Sequence, residues 1–252
     1  MPASLSWTLA LTLGLLVATA VAVSHFGGLT TSKAAGWAAG RAVVQLVGVS
    51  LIIAAVLDSI VLSLLFVLVM LAVAVATSAR RIQAEHTWPW VALAMSAGVV
   101  PVLLLMFGCR AVPVSPAALV SLSGIIIGGA MTANSLNGRR CFAALREQHS
   151  AYEAGLSIGL ARADAISEIV QRQLPEALVP GLDQTRTVGL VTLPGAFVGV
   201  LLGGGSPLQA GAAQVLVLCG LLATQSIVVV SGHLLIRSGR MLPPDLYTQL
   251  QP

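Results

Sequence analysis

Apolar residues run through this chain in stretches long enough to cross a bilayer, and the pattern repeats seven times. The stretches 4–26, 38–57, 59–79, 88–108, 116–137, 186–204 and 211–234 contain no Asp or Glu. A run of roughly 18 or more apolar residues matches the hydrocarbon thickness at about 1.5 Å per helical residue. Read without a break, 42–79 would form one helix about 57 Å long, nearly twice that thickness, so Asp58 and Ser59 mark a reversal. The pattern predicts an all-α polytopic membrane protein with seven transmembrane helices, forming one membrane domain over 1–252.

One segment breaks the apolar rule. Residues 139–182 hold five of the thirteen bases and, with Asp183 at the edge, six of the nine acids. Within it Phe142, Leu145, His149, Tyr152, Leu156, Gly159, Ala163, Ile166 and Val170 recur at alternating spacings of three and four, one stripe of an amphipathic helix. Pro175 ends the stripe, and Pro180 with Gly181 makes a turn. The fifth span should therefore continue beyond the membrane into a shorter amphipathic helix, bending near Gly155 and Gly159. In the sixth span Pro194 and Gly195 fall mid-run, where proline removes a backbone hydrogen bond and is expected to kink the helix. Gly36/Gly40, Gly124/Gly128, Gly195/Gly199 and Gly199/Gly203 are spaced four apart; such faces serve close helix packing or a homodimer seam.

Charge orients the chain. With the N-terminus outside, twelve of the thirteen basic residues fall on cytoplasmic segments and only Arg110 outside, which is the positive-inside arrangement. The C-terminus is then cytoplasmic, and 139–182 becomes a cytoplasmic coupling segment between the fifth and sixth spans. The composition (57% hydrophobic, 9% charged) excludes an ordinary soluble domain, which carries about 25% charged residues. The first positive charge is Lys33, so the first span lacks the basic start of a cleaved signal peptide. Cys109, Cys141 and Cys219 fall at three different depths, so no disulfide framework is implied. No basic–aromatic patch of the nucleic-acid type is present.

Several chemistries drop out on spacing. Gly155-Leu-Ser157-Ile-Gly159 matches a hydrolase nucleophile elbow by letters, but Ser157 sits in a helical stripe where the elbow needs a strand before it. The four histidines form no HExxH pair. Lys33 is the only lysine, and no Gly precedes it, so the chain supplies no Walker A site and is not expected to be an enzyme. No cofactor is called for, and no His/Cys/Met cluster identifies metal ligands. Polar groups inside spans are costly and become candidates for a transport path: Gln45 in the second span, Asn134 in the fifth and Gln225 in the seventh. Their structural alternative is hydrogen bonding between helices.

The cytoplasmic segment carries a recognisable spacing. Glu153-Ala154-Gly155, then Gly159, Ile169 and Leu174-Pro175, resembles the EAA loop of bacterial ABC-transporter permeases, with the Leu-Pro pair three residues late. A broader resemblance covers nearly the whole chain. Gly40-Arg41-Ala-Val-Val-Gln45, Met131-Thr-Ala-Asn134-Ser-Leu136, Asp183-Gln-Thr-Arg186-Thr-Val-Gly189-Leu-Val-Thr-Leu-Pro194-Gly195-Ala-Phe-Val-Gly199 and Gly203-Gly-Gly-Ser206-Pro207 are similar to the FetB-type ABC permease family, which includes bacterial iron-export permeases and plant proteins linked to aluminium tolerance. The resemblance implies a multi-pass permease of the inner (plasma) membrane, working as a dimer with a separate ATP-binding subunit and exporting a metal ion, iron first. An ATPase-independent channel or secondary carrier is the alternative; it calls for inverted repeats or midplane charges, and neither is visible.

Overall fold

The structure, a computed structural model, describes residues 7–250. Residues 4–6 of the first expected span lie outside that range. The described chain is helical, with one isolated bridge between Val188 and Thr192. Six helices are long and apolar enough to cross a membrane: α1 (Trp7–Phe26), α2 (Ser32–Leu57), α3 (Ile60–Arg81), α4 (Trp88–Gly108), α5 (Pro116–Glu147) and α10 (Pro207–Arg237). Five shorter ones complete the set: α6 (His149–Ser157), α7 (Arg162–Val170), α8 (Val179–Thr187), α9 (Gly195–Leu202) and α11 (Pro244–Gln249).

The chain divides into two compact units at Asp58/Ser59. In the first, α1 and α2 pack on each other, with Val21 3.6 Å from where a Cβ on Gly36 would lie. Neither helix buries a residue; apolar side chains cover α1 on every side, as a helix surrounded by lipid requires. The boundary agrees with the expected break after 57: α2 ends at Leu57 and Ser59 is extended.

The second unit is built around α5. Met70 meets Gly124, Ser78 meets Asn134 and Ser135, and Ile82 meets Gly138, so α3 and α5 run parallel. Ile126 lies against Gly220, Gly129 against Leu221, and Asn137 against Gly232, so α5 and α10 are parallel too. Helix α4 is antiparallel to α10: Gly98 faces Thr224 and Val228, while Val102 and Met106 face Gly220. Helix starts are punctuated conventionally. Ser115 caps α5 ahead of Pro116, and Ser206 with Gln209 forms a capping box on α10 ahead of Pro207. The parallel helices α3, α5 and α10 all finish in arginines (Arg80, Arg81, Arg139, Arg140, Arg146, Arg237), so the basic residues gather at one end.

Because α5 and α10 point the same way, the chain from 148 to 206 must climb back. It does so along α10: Gly181 of α8 lies against Gln225, and the Phe197 N–H of α9 donates to Gln214 Oε1 at 3.3 Å. The expected sixth span 186–204 is therefore not one helix. Helix α8 stops at Thr187, Gly189 (φ +80°) turns the chain, residues 188–194 belong to no helix, and α9 has only eight residues. Pro194 does not kink a helix: it is the N-cap of α9 and Gly195 its first residue, a place where the missing proline N–H costs nothing.

The expected helix through 153–174 is also divided. Gly159 (φ +91°) reverses the chain between α6 and α7, and Gln171–Ala177 forms a 3-10 turn containing Leu174 and Pro175. Most of the predicted stripe is nevertheless buried, including Phe142, Leu145, Tyr152, Ile166 and Val170. The C-terminal α11 fastens this region. Arg146 donates twice to Asp245 (2.7 and 3.2 Å), and the Tyr152 hydroxyl donates to the Leu250 carbonyl at 2.9 Å. The hydrogen bond from Arg146 holds the Asp245 carboxyl below its usual pKa. A depressed carboxylate contributes stability above its unfolded pKa and loses it as pH falls through the folded value.

The α4–α10 contact sets a test. A Cβ on Gly98 would lie 2.6 Å from Val228 Cγ2 and 2.7 Å from the Thr224 carbonyl oxygen, inside any tolerable contact. Gly98→Leu should push the helices apart and destabilise the detergent-solubilised protein by roughly 1–3 kcal/mol, read as a lowered unfolding midpoint. Gly128→Leu, where nothing lies within 4 Å, should leave the midpoint near the parent value.

Candidate transport seam and coupling face

Where α5 meets α3 and α10, a string of polar side chains is sealed inside the apolar bundle. Asn134 Nδ2 donates to Ser78 Oγ at 2.9 Å, and Ser78 Oγ shares a 3.1 Å hydrogen bond with Ser135 Oγ. One turn on, the Cys141 thiol donates to Asn137 Oδ1 at 3.3 Å. These bonds fix the amides and join α3 to α5. Three oxygens in the same region have no such donor: Asn134 Oδ1, Thr224 Oγ1 and Gln225 Oε1 are buried without a hydrogen-bond partner. A buried acceptor left unmet costs about 1–3 kcal/mol, so three along one bundle form a costly arrangement. The Gln225 oxygen points at Gly181 of α8, where a Cβ would collide with it. The amide thus sits where the returning segment meets α10.

Two of the three path residues expected from the sequence, Asn134 and Gln225, therefore border one α5–α10 seam. Gln225 packs over Gly129, and Asn134 over Gly232. Gln45 belongs to the other unit, exposed on α2, and is not brought to the seam by anything within its own unit. Thr224 and Ser78 were not singled out by sequence reasoning. A hydroxyl in an apolar span ordinarily bonds its own helix carbonyl and leaves no mark in a hydropathy pattern; the adjacency of Thr224 to Gln225 was the one available signal. Among the described residues no group of three His, Cys, Asp or Glu side chains converges. The seam instead offers amide and hydroxyl oxygens, the ligand type of hard cations.

At the arginine-rich end, α6 and α7 enclose an open groove of about 400 Å³. Ala154, Gly155 and Ile169 of the expected coupling set line it together, with Glu168 and Arg172 on its rim, those two paired at 2.8 Å. Glu153 lies beside it, exposed and 3.5 Å from His149. Gly159 shapes the turn that closes one end, and next to it Ile158 is 81% exposed. Leu174 and Pro175 do not join this face: Leu174 packs inward against Ala133, Ala177 and Val229, because the 3-10 turn directs it toward α5. The sequence predicts one amphipathic helix here; the structure shows two helices that enclose a groove of their own.

A family model described as "Uncharacterised protein family (UPF0014)" matches residues 6–239. The chain belongs to that family. Its relatives include "UPF0014 membrane protein slr1647" of Synechocystis, 32% identical over 85% of this chain and 85% of that one. The "Probable iron export permease protein FetB" of Escherichia coli is 29% identical over 84% of this chain and 83% of its own length. "Protein ALUMINUM SENSITIVE 3" of Arabidopsis thaliana is 32% identical over 63% of this chain and 58% of its own length. No solved structure matches. This UPF0014 member is accordingly a multi-pass membrane protein, and the resemblance drawn from 183–207 agrees with the match.

The unmet oxygens separate structural from functional roles. If the Gln225 amide held the bundle together, an apolar replacement of equal length would destabilise it. Its oxygen has no partner, so Gln225→Met and Thr224→Val should leave the unfolding midpoint unchanged or raise it, within about 1 kcal/mol of the parent. A loss of more than about 3 kcal/mol, the scale of breaking a satisfied buried network, would make these groups packing elements.

Proposed function

We propose that this protein is the membrane subunit of an ABC-type exporter, driven by a separate ATP-binding subunit and moving a metal ion, with iron the first to test. The observation that carries the transport reading is the set of unmet oxygens, Asn134 Oδ1, Thr224 Oγ1 and Gln225 Oε1, inside an otherwise apolar bundle. Membership of a family with a member named as an iron export permease supports both the reading and the choice of ion. In this reading, ATP-driven movement of the partner reaches α6 and α7, passes through α8 to Gly181, and shifts the contact with Gln225 that closes the seam. Two permease subunits with two ATPases form the expected assembly.

The topology adopted here is seven crossings with the N-terminus outside. Its support is the parallel course of α5 and α10, which requires the intervening chain to return across the same thickness, and 188–206 is the apolar part of that return. The crossing is a discontinuous one; Leu190 and Val191 of its irregular stretch are exposed, so in a membrane this backbone calls for cover by a further protein surface. The arginines at the ends of α3, α5 and α10 then face the cytoplasm. Cys141 is buried, so labelling uses Cys109 and an introduced Glu176→Cys in a background lacking Cys141 and Cys219. An impermeant maleimide on intact cells should modify Cys109, whereas the cysteine at 176 should react only after permeabilisation. Reaction of both from outside would end the seven-crossing reading.

Transport is tested by co-reconstituting the protein and its ATPase in vesicles and following ATP-dependent movement of Fe²⁺, with Mn²⁺, Zn²⁺ and Al³⁺ alongside. Gln225→Met with Thr224→Val should cut transport at least tenfold while ATPase binding persists. Undiminished flux would move the path away from this seam, and flux without ATP would favour a channel or carrier. For coupling, Gly159→Leu is a poor probe, since φ +91° strains any side chain there. Ile158→Asp is better: its side chain is exposed, so folding should survive while retention of the ATPase on purification falls by tenfold or more. Full retention and coupled flux in Ile158→Asp would remove the α6–α7 turn from the interface.

A further inference from the structure

A second polar site lies at the arginine-rich end, away from both the seam and the α6–α7 groove. His86, Thr87, Trp90, Arg162, Ser238, Gly239, Arg240 and Tyr247 enclose an open pocket of about 390 Å³. It forms where the α3–α4 connection, the start of α7, the end of α10 and α11 converge. Its lining contains two arginines and a histidine and no carboxylate. The nearby acids are engaged elsewhere: Asp164 accepts from Arg237 at 2.7 Å, and Asp245 accepts from Arg146 at 2.7 Å. Glu85 is exposed beside His86 and does not line the pocket.

Arg162 is the unusual member. Its Nε and Nη2 are buried and donate to no protein acceptor. A guanidinium carries five donors in a fixed plane and stays charged, so burying two of them without an acceptor is costly. Gly239, at φ +73°, leaves the guanidinium face open: a Cβ there would stand 3.4 Å from Nη2. The second arginine is also held in place, with the Arg240 guanidinium 4.9 Å from the centre of the Trp90 ring. Thr87, Ser238 and Tyr247 also line the pocket; the Thr87 and Ser238 hydroxyls donate to the Ala84 and Leu235 carbonyls at 3.0 and 3.1 Å, which leaves Tyr247 as the remaining hydroxyl. Paired guanidiniums match an oxyanion with several acceptor oxygens, and arginine binds phosphate in a two-pronged manner.

We propose that this pocket binds a phosphate group through Arg162 and Arg240. Two sources share that chemistry: the headgroup of an anionic phospholipid and free inorganic phosphate. The surroundings favour the lipid. Trp90 lies in the first turn of α4, exposed Trp88 precedes it, and Tyr247 lies across the pocket, the aromatic setting of a bilayer interface. Basic pockets between helices at a cytoplasmic face are a recurring headgroup site. A phosphate seated there would join the α3–α4 connection, α7 and the end of α10, and so tie the coupling face to the bundle. The site is independent of which ion is transported.

The test follows the unfolding midpoint of the purified full-length protein in detergent. Three probes are titrated separately: short-chain phosphatidylglycerol, short-chain phosphatidylcholine and inorganic phosphate. A ligand that binds only the folded state raises the midpoint with concentration. Stabilisation by phosphatidylglycerol at concentrations at least tenfold below those of phosphatidylcholine is expected, with apparent affinity at least tenfold weaker in Arg162→Gln and in Arg240→Gln. Stabilisation by inorganic phosphate with the same dependence on the two arginines supports the site with the free anion as its source. Arg81→Gln, exposed at the same end but outside the pocket, should behave as the parent. Should Arg162→Gln fail to fold, Arg240→Gln decides alone, because that residue is exposed. The proposal is overturned if neither phosphatidylglycerol nor phosphate stabilises the parent, if all three probes act alike, or if protection persists in the pocket variants. It is overturned equally if Arg81→Gln weakens protection as much as they do.

Discussion

Close approach of α5 to its neighbours is the constraint on which the rest of the second unit depends. Lipid gives helices no hydrophobic reason to associate, so contact must come from tight packing and interhelical hydrogen bonds. Here glycines permit the packing. Gly98 lets α4 reach the Thr224 carbonyl, Gly129 accepts Leu221, and Gly138 accepts Ile82. The bonds from Asn134 to Ser78 and from Ser78 to Ser135 then join α3 to α5 at a depth where no water competes. The same closeness leaves the remaining oxygens of Asn134, Thr224 and Gln225 enclosed without donors. Stability and the candidate path therefore arise from one arrangement.

The parallel course of α3, α5 and α10 has consequences at both ends. It gathers the arginines of three helices at one end, together with α6, α7 and α11. It also obliges the chain after α8 to travel back along α10 without a full helix. Two side chains of α10 lie against that return. Gln214 receives the Phe197 N–H, one of the donors that the first turn of α9 cannot satisfy internally. Gln225 faces Gly181 at the other end of the return. An irregular segment carries fewer internal bonds than a helix, so it moves at lower cost.

The coupling face shows how local chemistry and packing divide the work. Gly159 takes a left-handed conformation that other residues adopt only under strain, and so turns one predicted helix into two. The turn brings Gly155 opposite Ala165 and opens the groove that Ala154 and Ile169 line. Pairing of Arg237 with Asp164 and of Arg146 with Asp245 then fixes both α7 and α11 to the ends of the long helices. Each exposed pair alone contributes little, about 0–1 kcal/mol. Their effect here is geometric, because each ties a short helix to the end of a long one.

Much was legible in the sequence because burial in lipid is enforced residue by residue. Length and uninterrupted hydropathy located α1 to α5 and α10 to within several residues, and the arginine distribution matched the end at which the parallel helices finish. The motif around 183–207 led to the family. Asn134 and Gln225 stood out because an amide in an apolar run has few inexpensive places to go. Tertiary structure alone decided the rest. The stretch 186–204 is as apolar as its neighbours, yet Gly189 and Pro194 break it, and where helix resumes the Phe197 N–H is met by Gln214 on a helix later in the chain. Hydropathy sums composition and is blind to such partners. The stripe from Phe142 to Val170 named the buried positions, but a positive φ at Gly159 divides it, since periodicity describes a face and not the path of the backbone. Nothing along the chain marked Arg162 apart from its fellow arginines. Its neighbours at 86–90 and 238–247 are remote in sequence, and only folding shows that two of its nitrogens are buried without an acceptor, in a pocket whose lining holds no carboxylate.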